Sequence, residues 1–311
     1  MAETYDLVII GGGAAGFTAG MYGARDRCTT LVLERLAPGG QVLNCEHIEN
    51  YPGFPDGIMG PDLMDEMRKQ AERFGAKCVL AEVTSVDLLK RPFTVLAGEA
   101  LLKAETLIIS SGASAKLLGL DSERRLLGHG VSTCATCDGF FFKDKEVIVV
   151  GGGDTAVEEA VFLTKYATKV FIIHRRDKLR ASKIMQERVF KNKKIEFIWD
   201  SIVVEILGDK EKGISGVKIR NVNTGEIKEK ACQGVFVAIG HTPNTRLFEG
   251  QLEMDERGYI ITKNGTTETS VSGVFASGDV QDHRYRQAIT AAGTGCMAAM
   301  DAEKFLEEHG E

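Results

Sequence analysis

The chain contains the same pattern twice, and this repeat constrains the fold more than any other feature. In each copy an apolar strand runs into a glycine-rich turn, and a helix and a second apolar strand follow; the turns are residues 11–16 and 151–156. Gly11, Gly13 and Gly16 fit the G-x-G-x-x-G fingerprint of a dinucleotide-binding βαβ unit, and the second turn has Ala156 at the third position. The repeat predicts an α/β fold with two Rossmann-like dinucleotide-binding domains.

The residue that ends the second strand differs between the copies. Glu34 and His174 each lie 23 residues after the first glycine of their turn, and His174 is followed by Arg175 and Arg176. A carboxylate accepts hydrogen bonds from a free ribose 2′-hydroxyl, whereas guanidinium groups bind a 2′-phosphate through charge-assisted hydrogen bonds. We therefore expect the second site to prefer NADPH over NADH. Arg180 is a further candidate contact, or alternatively a surface charge on a helix predicted to open after Asp177.

A pair of cysteines lies just upstream of the second turn, in the sequence Cys134-Ala135-Thr136-Cys137-Asp138. This spacing is typical of a redox-active dithiol. Beside a nucleotide-binding turn, it suggests that electrons from a bound nucleotide end on a disulfide. A zinc site would need a second Cys or His pair at ligand spacing, whereas Cys232 and Cys296 are isolated, so no metal is expected. A purely structural disulfide is disfavoured because the other cysteines are scattered singly, as in a reducing compartment.

Composition and charge argue against several classes of protein. The net charge of −6 and the lack of a long basic stripe argue against a nucleic-acid partner. The sequence has no apolar run of the roughly 20 residues that a membrane span needs, and its first residues do not resemble a signal peptide. We therefore expect a cytoplasmic protein that does not bind membranes.

Two later strands that end in glycine are expected to close the two sheets and to pass each ligand at close range. They end at Gly112 and at Ile239-Gly240. The proline at position 243 then prevents the strand from continuing. Another strand that ends in a glycine turn, at 274–279, precedes a helix of small residues. We predict one domain from 1–114 and 245–311, with a second domain, 115–244, inserted into it. The two crossings, where the chain passes between the domains near residues 115 and 244, are short and are expected to form a hinge.

With these motifs assembled, the chain resembles the low-molecular-weight, bacterial-type thioredoxin reductases, which are flavin-dependent pyridine nucleotide-disulfide oxidoreductases. The resemblance covers essentially the whole chain and rests on six segments in order: 11–16, 39–41, 134–139, 151–159, 174–181 and 273–292. It implies that the discontinuous domain binds FAD and the inserted domain binds NADPH. It also implies that thioredoxin is the disulfide substrate and that the protein is a homodimer.

The resemblance carries a set of binding residues onto this sequence. The residues expected around FAD are Gly11, Gly13, Ala14, Ala15, Gly16, Glu34, Gly40, Gln41, Asn50, Gly112, Gly278, Asp279, Arg286, Gln287 and Ala288. The residues expected around NADPH are Gly151, Gly153, Asp154, Thr155, His174, Arg175, Arg176, Arg180, Ile239 and Gly240.

The resemblance also implies a mechanism. Reducing equivalents pass from nicotinamide to flavin and then to the Cys134–Cys137 disulfide, with Cys137 facing the flavin and Cys134 attacking thioredoxin. Asp138 supplies and accepts protons during exchange, or it caps the turn at Gly139, or both. Because the dithiol and the NADPH turn share one domain and the flavin lies in the other, we expect the inserted domain to rotate about the crossings. Of the three aromatics at 140–142, at least one is expected in the core, and one or two could dock thioredoxin.

Other functions remain open on the residues alone. One is reduction of another dithiol carrier, such as a glutaredoxin-like or peroxidase-linked protein. Another is a non-catalytic redox sensor that keeps both nucleotide sites, although such a sensor need not retain the acid at 138. A ferredoxin–NADP reductase of related architecture would lack the dithiol.

Overall fold

The structure is a computed structural model that describes residues 2–35, 39–45 and 47–309. The chain divides into two compact units: unit 1 is Met1–Ser114 with Thr242–Glu311, and unit 2 is Ala115–His241. The divisions fall at 114/115 and 241/242, whereas the sequence placed the second at 244/245. Within the described residues, no helix combines the length and apolar character that crossing a lipid bilayer requires.

Each glycine turn has the strand before it, and the helix and strand after it, that the sequence predicts. The strands are β1 (Glu3–Ile10), β2 (Thr30–Glu34), β3 (Lys77–Leu80), β4 (Val83–Asp87), β5 (Phe93–Ala97), β6 (Ala100–Ile109), β7 (Ala113–Ala115), β8 (Val131–Ser132), β9 (Glu146–Val150), β10 (Lys169–Ile173), β11 (Ile195–Ile198), β12 (Ser201–Asp209), β13 (Gly213–Asn221), β14 (Ile227–Ala231), β15 (Gly234–Val237), β16 (His241–Pro243) and β17 (Val274–Ala276). The helices are α1 (Ala14–Arg25), α2 (Gly60–Arg73), α3 (Asp121–Leu126), α4 (Ala135–Asp138), α5 (Asp154–Leu163), α6 (Lys183–Lys191) and α7 (Ala288–His309). Short 3₁₀ helices cover Gly40–Asn44, Gly139–Phe142, Arg246–Phe248 and Gly278–Val280.

In the described part of unit 1, a seven-stranded sheet has the order β3-β2-β1-β6-β5-β4, and β17 pairs with β6. The strands around β1 are parallel, and β4 and β5 extend the sheet in antiparallel fashion. The run Leu7–Ile10 is buried on both faces, which explains why it reads as continuously apolar rather than alternating. One face packs against a core that includes α1 and α7 residues, and the other packs on residues of β4 and β5.

The described part of unit 2 holds a five-stranded parallel sheet of order β11-β10-β9-β15-β8 and a separate antiparallel sheet β12-β13-β14. The strand before the glycine turn, β9, pairs with β10 on one side and β15 on the other, as β1 pairs with β2 and β6 in unit 1. The predicted fold class, two Rossmann-like units, is confirmed.

One helix begins later than the sequence predicts. The helix expected to open after Asp177 starts only at Lys183. The amide N–H groups of Arg180 and Ala181 both donate to the carbonyl oxygen of Gly152, at 2.7 and 3.2 Å. Because these donors bind the glycine turn, they cannot build a helical turn of their own, and the segment folds back over the turn instead.

The chain connects the units through two short strands, β7 and β16, which pair with each other. On the unit 1 side, Asn244 joins both connections. Its amide Nδ2 and backbone N–H donate to the carbonyl oxygens of Ser111 and Gly112, at 2.8 and 3.0 Å. In return, the hydroxyls of Ser111 and Ser114 donate to the backbone and side-chain oxygens of Asn244, at 2.8 and 3.0 Å.

Candidate functional site

The glycine turn of unit 1 is shaped by backbone crowding at its two ends. Gly11 has a φ of +115°, and a Cβ there would overlap the carbonyl oxygen of Ser110. A Cβ at Gly16 would overlap the carbonyl oxygen of Gly11, so α1 packs directly on the turn. These contacts are the tight turn and the close helix packing that the fingerprint describes.

The middle of the same turn is open. Gly13 has an ordinary extended backbone, with φ −90° and ψ −170°, and among the described residues no atom lies within 4 Å of a Cβ built on it. The space lies at the N-terminus of α1, where unpaired amide N–H groups favour an anion. The geometry therefore fits a pyrophosphate held above Gly13, Ala14 and Ala15.

Glu34 lies beside this turn as a buried acceptor. It is 3% exposed, and its Oε2 atom has no hydrogen-bond partner among the described residues. A Cβ at Gly12 would overlap the Glu34 carboxyl, so the carboxyl faces the turn. Burial raises its pKa to about 7, partly offset by Arg68. Because buried polar atoms are normally satisfied, this carboxyl is suited to accept a hydrogen bond from a ligand hydroxyl.

Distant segments of unit 1 meet around the turn. A Cβ at Gly40 would lie 3.9 Å from the Cα of Gly13, and one at Gly278 would lie 3.0 Å from the Cβ of Ala15. The side chain of Asn50 donates to Gln287 at 3.2 Å across 237 residues of sequence. The structure therefore brings four of the predicted FAD segments together in pairs.

Asp279, in the turn that contacts α1, is a perturbed acid. Burial and the charge of Asp282 together raise its pKa to about 6, against the opposing effect of Arg286. Arg286 itself has a positive φ of 49°, and Ala288 begins α7. Gln41 lies in the 3₁₀ helix Gly40–Asn44.

The glycine turn of unit 2 repeats the same geometry. A Cβ at Gly151 would overlap the carbonyl oxygen of Ala238 and lie 2.7 Å from the Cβ of Ala156. Gly153 is extended, with φ −93° and ψ −176°, and among the described residues nothing lies within 4 Å of its Cβ position. The carboxylate of Asp154 accepts a hydrogen bond from the Ser182 N–H at 2.8 Å, which ties α5 to the arginine segment. Thr155 is the second residue of α5.

His174 occupies in unit 2 the place that Glu34 occupies in unit 1. A Cβ at Gly152 would overlap the His174 ring, and His174 is 4% exposed with its Nε2 unpartnered among the described residues. Burial lowers its pKa, and the charges of Arg180, Arg176 and Arg175 lower it further. All three arginines are exposed. A neutral ring flanked by exposed guanidinium groups is a suitable surface for a phosphate on a ribose.

Cys134 and Cys137 form a disulfide, with a Cα–Cα distance of 5.3 Å. Cys134 caps the four-residue helix α4, since its Sγ accepts the Cys137 N–H at 3.2 Å. Both cysteines are half-buried, and Thr136 between them is exposed, with its hydroxyl 3.3 Å from the Cys134 Sγ. The disulfide is therefore partly accessible, in a helical turn held by local hydrogen bonds.

Asp138 follows the disulfide directly. Burial raises the pKa of its carboxyl, and a hydrogen bond from Ser132 lowers it. The alternative role as a cap is not seen, because the side chain makes no capping hydrogen bond to the 3₁₀ helix Gly139–Phe142. A carboxyl whose pKa is raised toward neutrality can both donate and accept a proton.

The three aromatics after the motif separate as expected. Phe142 is buried and packs edge-on against Phe236, with ring centroids 5.1 Å apart. Phe140 and Phe141 are 55% and 37% exposed. Tyr166 contacts the Phe140 ring edge-on at 6.0 Å.

The remaining predicted residues lie near the ends of the sheet-closing strands. The carbonyl of Gly112 accepts the Asn244 N–H at 3.0 Å, and the carbonyl of Gly240, next to Ile239, accepts the Lys116 N–H at 2.9 Å. In the described ranges, no three His, Cys, Asp or Glu side chains are placed to hold a metal ion.

Two residues near the site were missed by sequence reasoning. The Ser132 hydroxyl hydrogen-bonds the backbone of Cys134, and its only sequence signal is a hydroxyl two residues before the first cysteine. Trp199, the single tryptophan in the sequence, stacks on Phe197 at 4.7 Å and lies 6.4 Å from His174. It follows β11, which pairs with the strand that ends at His174, and such adjacency appears only once strand order is known.

Comparison with known proteins gives the family. The family model described as pyridine nucleotide-disulphide oxidoreductase matches residues 5–295. The chain belongs to this family. It is 56% identical to the thioredoxin reductase of Rickettsia conorii over 310 residues, which is 99% of this chain and all of the relative.

Solved structures of the family superpose on nearly the whole chain. The thioredoxin reductase of Streptococcus pyogenes is 44% identical, with 99% of this chain and 100% of that one covered and a TM-score of 0.94. The Lactococcus lactis thioredoxin reductase in its FR conformation is 45% identical, with 98% of this chain and 99% of that one covered and a TM-score of 0.66. Thioredoxin reductases of this family use FAD and NADPH.

Proposed function

We propose that this chain is an NADPH-dependent thioredoxin reductase that acts through FAD and the Cys134–Cys137 disulfide. The observation that carries the proposal is the composition of unit 2. It holds a disulfide, an adjacent carboxyl with a raised pKa, and a glycine turn lined by three exposed arginines. The high identity to thioredoxin reductases along nearly the whole chain supports the same conclusion.

The residues fit the two cofactors in two different ways. The turn of unit 1, with the buried acceptor Glu34, fits the adenosine and pyrophosphate of FAD. The turn of unit 2, with His174 and the three arginines, fits the 2′-phosphate of NADPH. When bound, these cofactors supply the two electrons that reduce the disulfide.

The residues of this chain then carry out disulfide exchange. In the dithiol form, the Cys134 thiolate attacks the thioredoxin disulfide and releases one thioredoxin sulfur, giving a mixed disulfide. Cys137 attacks Cys134, which restores the enzyme disulfide and releases dithiol thioredoxin. Asp138 takes the proton from the attacking thiol and returns it to the leaving sulfur. The exchange needs an enzyme potential near or below that of thioredoxin, because about 30 mV corresponds to ~1.4 kcal/mol.

We also propose that unit 2 rotates between two working orientations. The disulfide and the NADPH turn lie in unit 2, whereas the FAD turn lies in unit 1. Two relatives with nearly equal identity and coverage superpose with TM-scores of 0.94 and 0.66, as expected if family members adopt more than one arrangement. A crosslink between the units should permit only one half-reaction. Full turnover by a crosslinked enzyme would contradict the rotation.

Further parts of the proposal concern partners and location. The exposed rings of Phe140 and Phe141 lie next to the disulfide in sequence and form an apolar surface for thioredoxin. The resemblance to the family supports a homodimer. A reducing cytoplasm is supported by the free thiols of Cys28, Cys78, Cys232 and Cys296.

The function can be tested with purified protein. We expect a flavin absorption spectrum and NADPH oxidation that depends on oxidised thioredoxin, with thiols released to a chromogenic reporter. Cys134→Ser should abolish thiol release but leave reduction of the flavin by NADPH intact, and Cys296→Ser, a half-buried thiol of unit 1, is the matched control. NADPH oxidation without a disulfide acceptor would argue against the proposal. Faster turnover with a glutaredoxin-like protein would identify a different carrier.

A further inference from the structure

The arginine segment, residues 175–182, is held against the glycine turn of unit 2 by backbone hydrogen bonds. Two of its N–H groups donate to the carbonyl oxygen of Gly152, at 2.7 and 3.2 Å. The N–H group of Ser182, at the end of the segment, donates to the Oδ1 atom of Asp154 at 2.8 Å. Of these bonds, the last has a charged acceptor, and such hydrogen bonds are roughly twice as strong as those between neutral groups.

Asp154 is an unexpected residue at a phosphate site. It is the first residue of α5 and is exposed beside the open turn that fits a pyrophosphate. A carboxylate repels phosphate groups, so direct contact with the nucleotide does not account for an acid here. The residue at the same distance from the first glycine in unit 1 is Ala14. The acid therefore occurs in the unit that has the arginine segment.

The charges of the arginine segment oppose its compact arrangement, because like charges repel. The segment forms no helix or strand before Lys183. Its exposed basic residues are Arg175, Arg176, Lys178 and Arg180, and its one acid is Asp177. The side chains of Leu179 and Ala181 are buried and hold the apolar side of the segment. The Asp154 carboxylate adds a hydrogen bond and an opposite charge at the end where the segment enters α6.

We propose that Asp154 is a positioning residue that sets the preference for a 2′-phosphorylated nucleotide, because its carboxylate holds the arginine segment on the glycine turn before the nucleotide binds. This inference rests on the proposed binding of NADPH in unit 2. If the segment must be ordered during binding, the apparent affinity falls in proportion to the fraction of molecules already ordered. Since the arginines are proposed to contact the 2′-phosphate, loss of the bond should weaken binding of NADP⁺ but not of NAD⁺.

Other roles for Asp154 predict different results. If the carboxylate acted only through its charge, its removal would raise the affinity for NADP⁺ and NAD⁺ alike, because both carry phosphate groups. If Asp154 only stabilised the fold, its removal would lower the Tm and weaken the binding of both nucleotides. Selective weakening of NADP⁺ binding is therefore specific to the proposed positioning.

The test is calorimetric titration of the oxidised holoenzyme with NADP⁺ and with NAD⁺, which leave the flavin oxidised. Asp154→Ala should raise the Kd for NADP⁺ by about 10-fold, the lower end of the loss expected for a hydrogen bond to a charged group, and leave the Kd for NAD⁺ unchanged. Asp154→Asn keeps an acceptor oxygen and should retain most of the preference. The matched control is Glu158→Ala, which removes the same charge from an exposed position one turn further along α5 and should not weaken NADP⁺ binding.

A second variant removes the donor of the same hydrogen bond. Ser182 has a φ of −58°, which proline adopts, and its side chain makes no capping hydrogen bond, so Ser182→Pro deletes the N–H group and keeps the backbone conformation. Ser182→Pro should weaken NADP⁺ binding as much as Asp154→Ala does. The double variant should be no weaker than either single variant, because all three lack the same bond.

Amide hydrogen exchange provides a measurement that needs no nucleotide. Exchange at Arg180 and Ala181 should be faster in Asp154→Ala and Ser182→Pro than in the wild type and in Glu158→Ala, with little change in Tm. Wild-type NADP⁺ affinity in both folded variants would overturn the inference, and so would additive losses in the double variant. Equal wild-type affinities for NADP⁺ and NAD⁺ would overturn the proposed coenzyme, and this inference with it. Neither measurement uses thioredoxin, so failure of the proposed substrate would leave both results unchanged.

Discussion

Alanine in the open middle of either glycine turn should weaken cofactor binding without lowering the stability of the protein. Gly13 and Gly153 have extended backbones that alanine adopts without strain, and among the described residues no atom lies within 4 Å of either Cβ position. Alanine should therefore leave the free energy of unfolding unchanged or raise it by about 0.4–1 kcal/mol, because alanine lowers the conformational entropy of the unfolded chain. The new methyl group instead occupies the space proposed for a pyrophosphate.

The expected loss is in binding. If the methyl group displaces one charge-assisted hydrogen bond from the helix N-terminus, the loss is about 1.5–3 kcal/mol, or roughly a 10- to 150-fold rise in Kd. Gly153→Ala should weaken NADPH binding by this factor and leave FAD retention unchanged, and Gly13→Ala should do the reverse. Each variant serves as the control for the other.

The assays are thermal unfolding, titration with NADPH, and the flavin content after dialysis. Gly16→Ala should behave differently from both, because its methyl group would overlap the carbonyl of Gly11 and destabilise unit 1 itself. Wild-type NADPH affinity in a stably folded Gly153→Ala would refute the assignment of the open space. A fall in Tm as large as that of Gly16→Ala would show that the space is not open.

Three further predictions follow from the site. Asp138→Asn should slow exchange with thioredoxin by about 10²- to 10⁴-fold while NADPH still reduces the flavin at the wild-type rate, and a loss below about threefold in rapid mixing would contradict its role as acid and base. Burial raises the Glu34 pKa from 4.5 to about 7, so the native state holds this proton longer than the unfolded chain does. Flavin-stripped protein should therefore lose on the order of 2–3 kcal/mol of stability as pH rises from 4.5 through 7, and urea unfolding of Glu34→Gln should lack this contribution. Because Trp199 lies 6.4 Å from His174, NADPH should change tryptophan fluorescence, and an unchanged signal at saturation would place the nucleotide elsewhere.

Local pattern was enough to predict the framework of both nucleotide sites. Strands β9 and β10 are the apolar runs that the repeat predicts before the second glycine turn and after its helix, because short apolar runs at these places fit a buried parallel strand. Counting from the first glycine matched Glu34 with His174, and the structure places each against the second glycine of its turn. This match depends only on the number of residues between the turn and the end of the second strand, which is the same in both βαβ units.

Contacts between distant segments could not be predicted in the same way. The bond from Asn50 to Gln287 joins residues 237 positions apart, and the bonds from Arg180 and Ala181 to Gly152 delay a helix that local sequence places earlier. Both depend on which backbone groups tertiary packing leaves available.

The two connections to unit 2 run side by side, because β7 pairs with β16 and Asn244, beside the second connection, bonds to Ser111 beside the first. Because the chain enters and leaves unit 2 through these neighbouring strands, the nucleotide-binding domain of a relative can replace unit 2 without a change in the length of either connection. Chimaeras made to exchange coenzyme preference should therefore fold most readily when both cut points fall within β7 and β16.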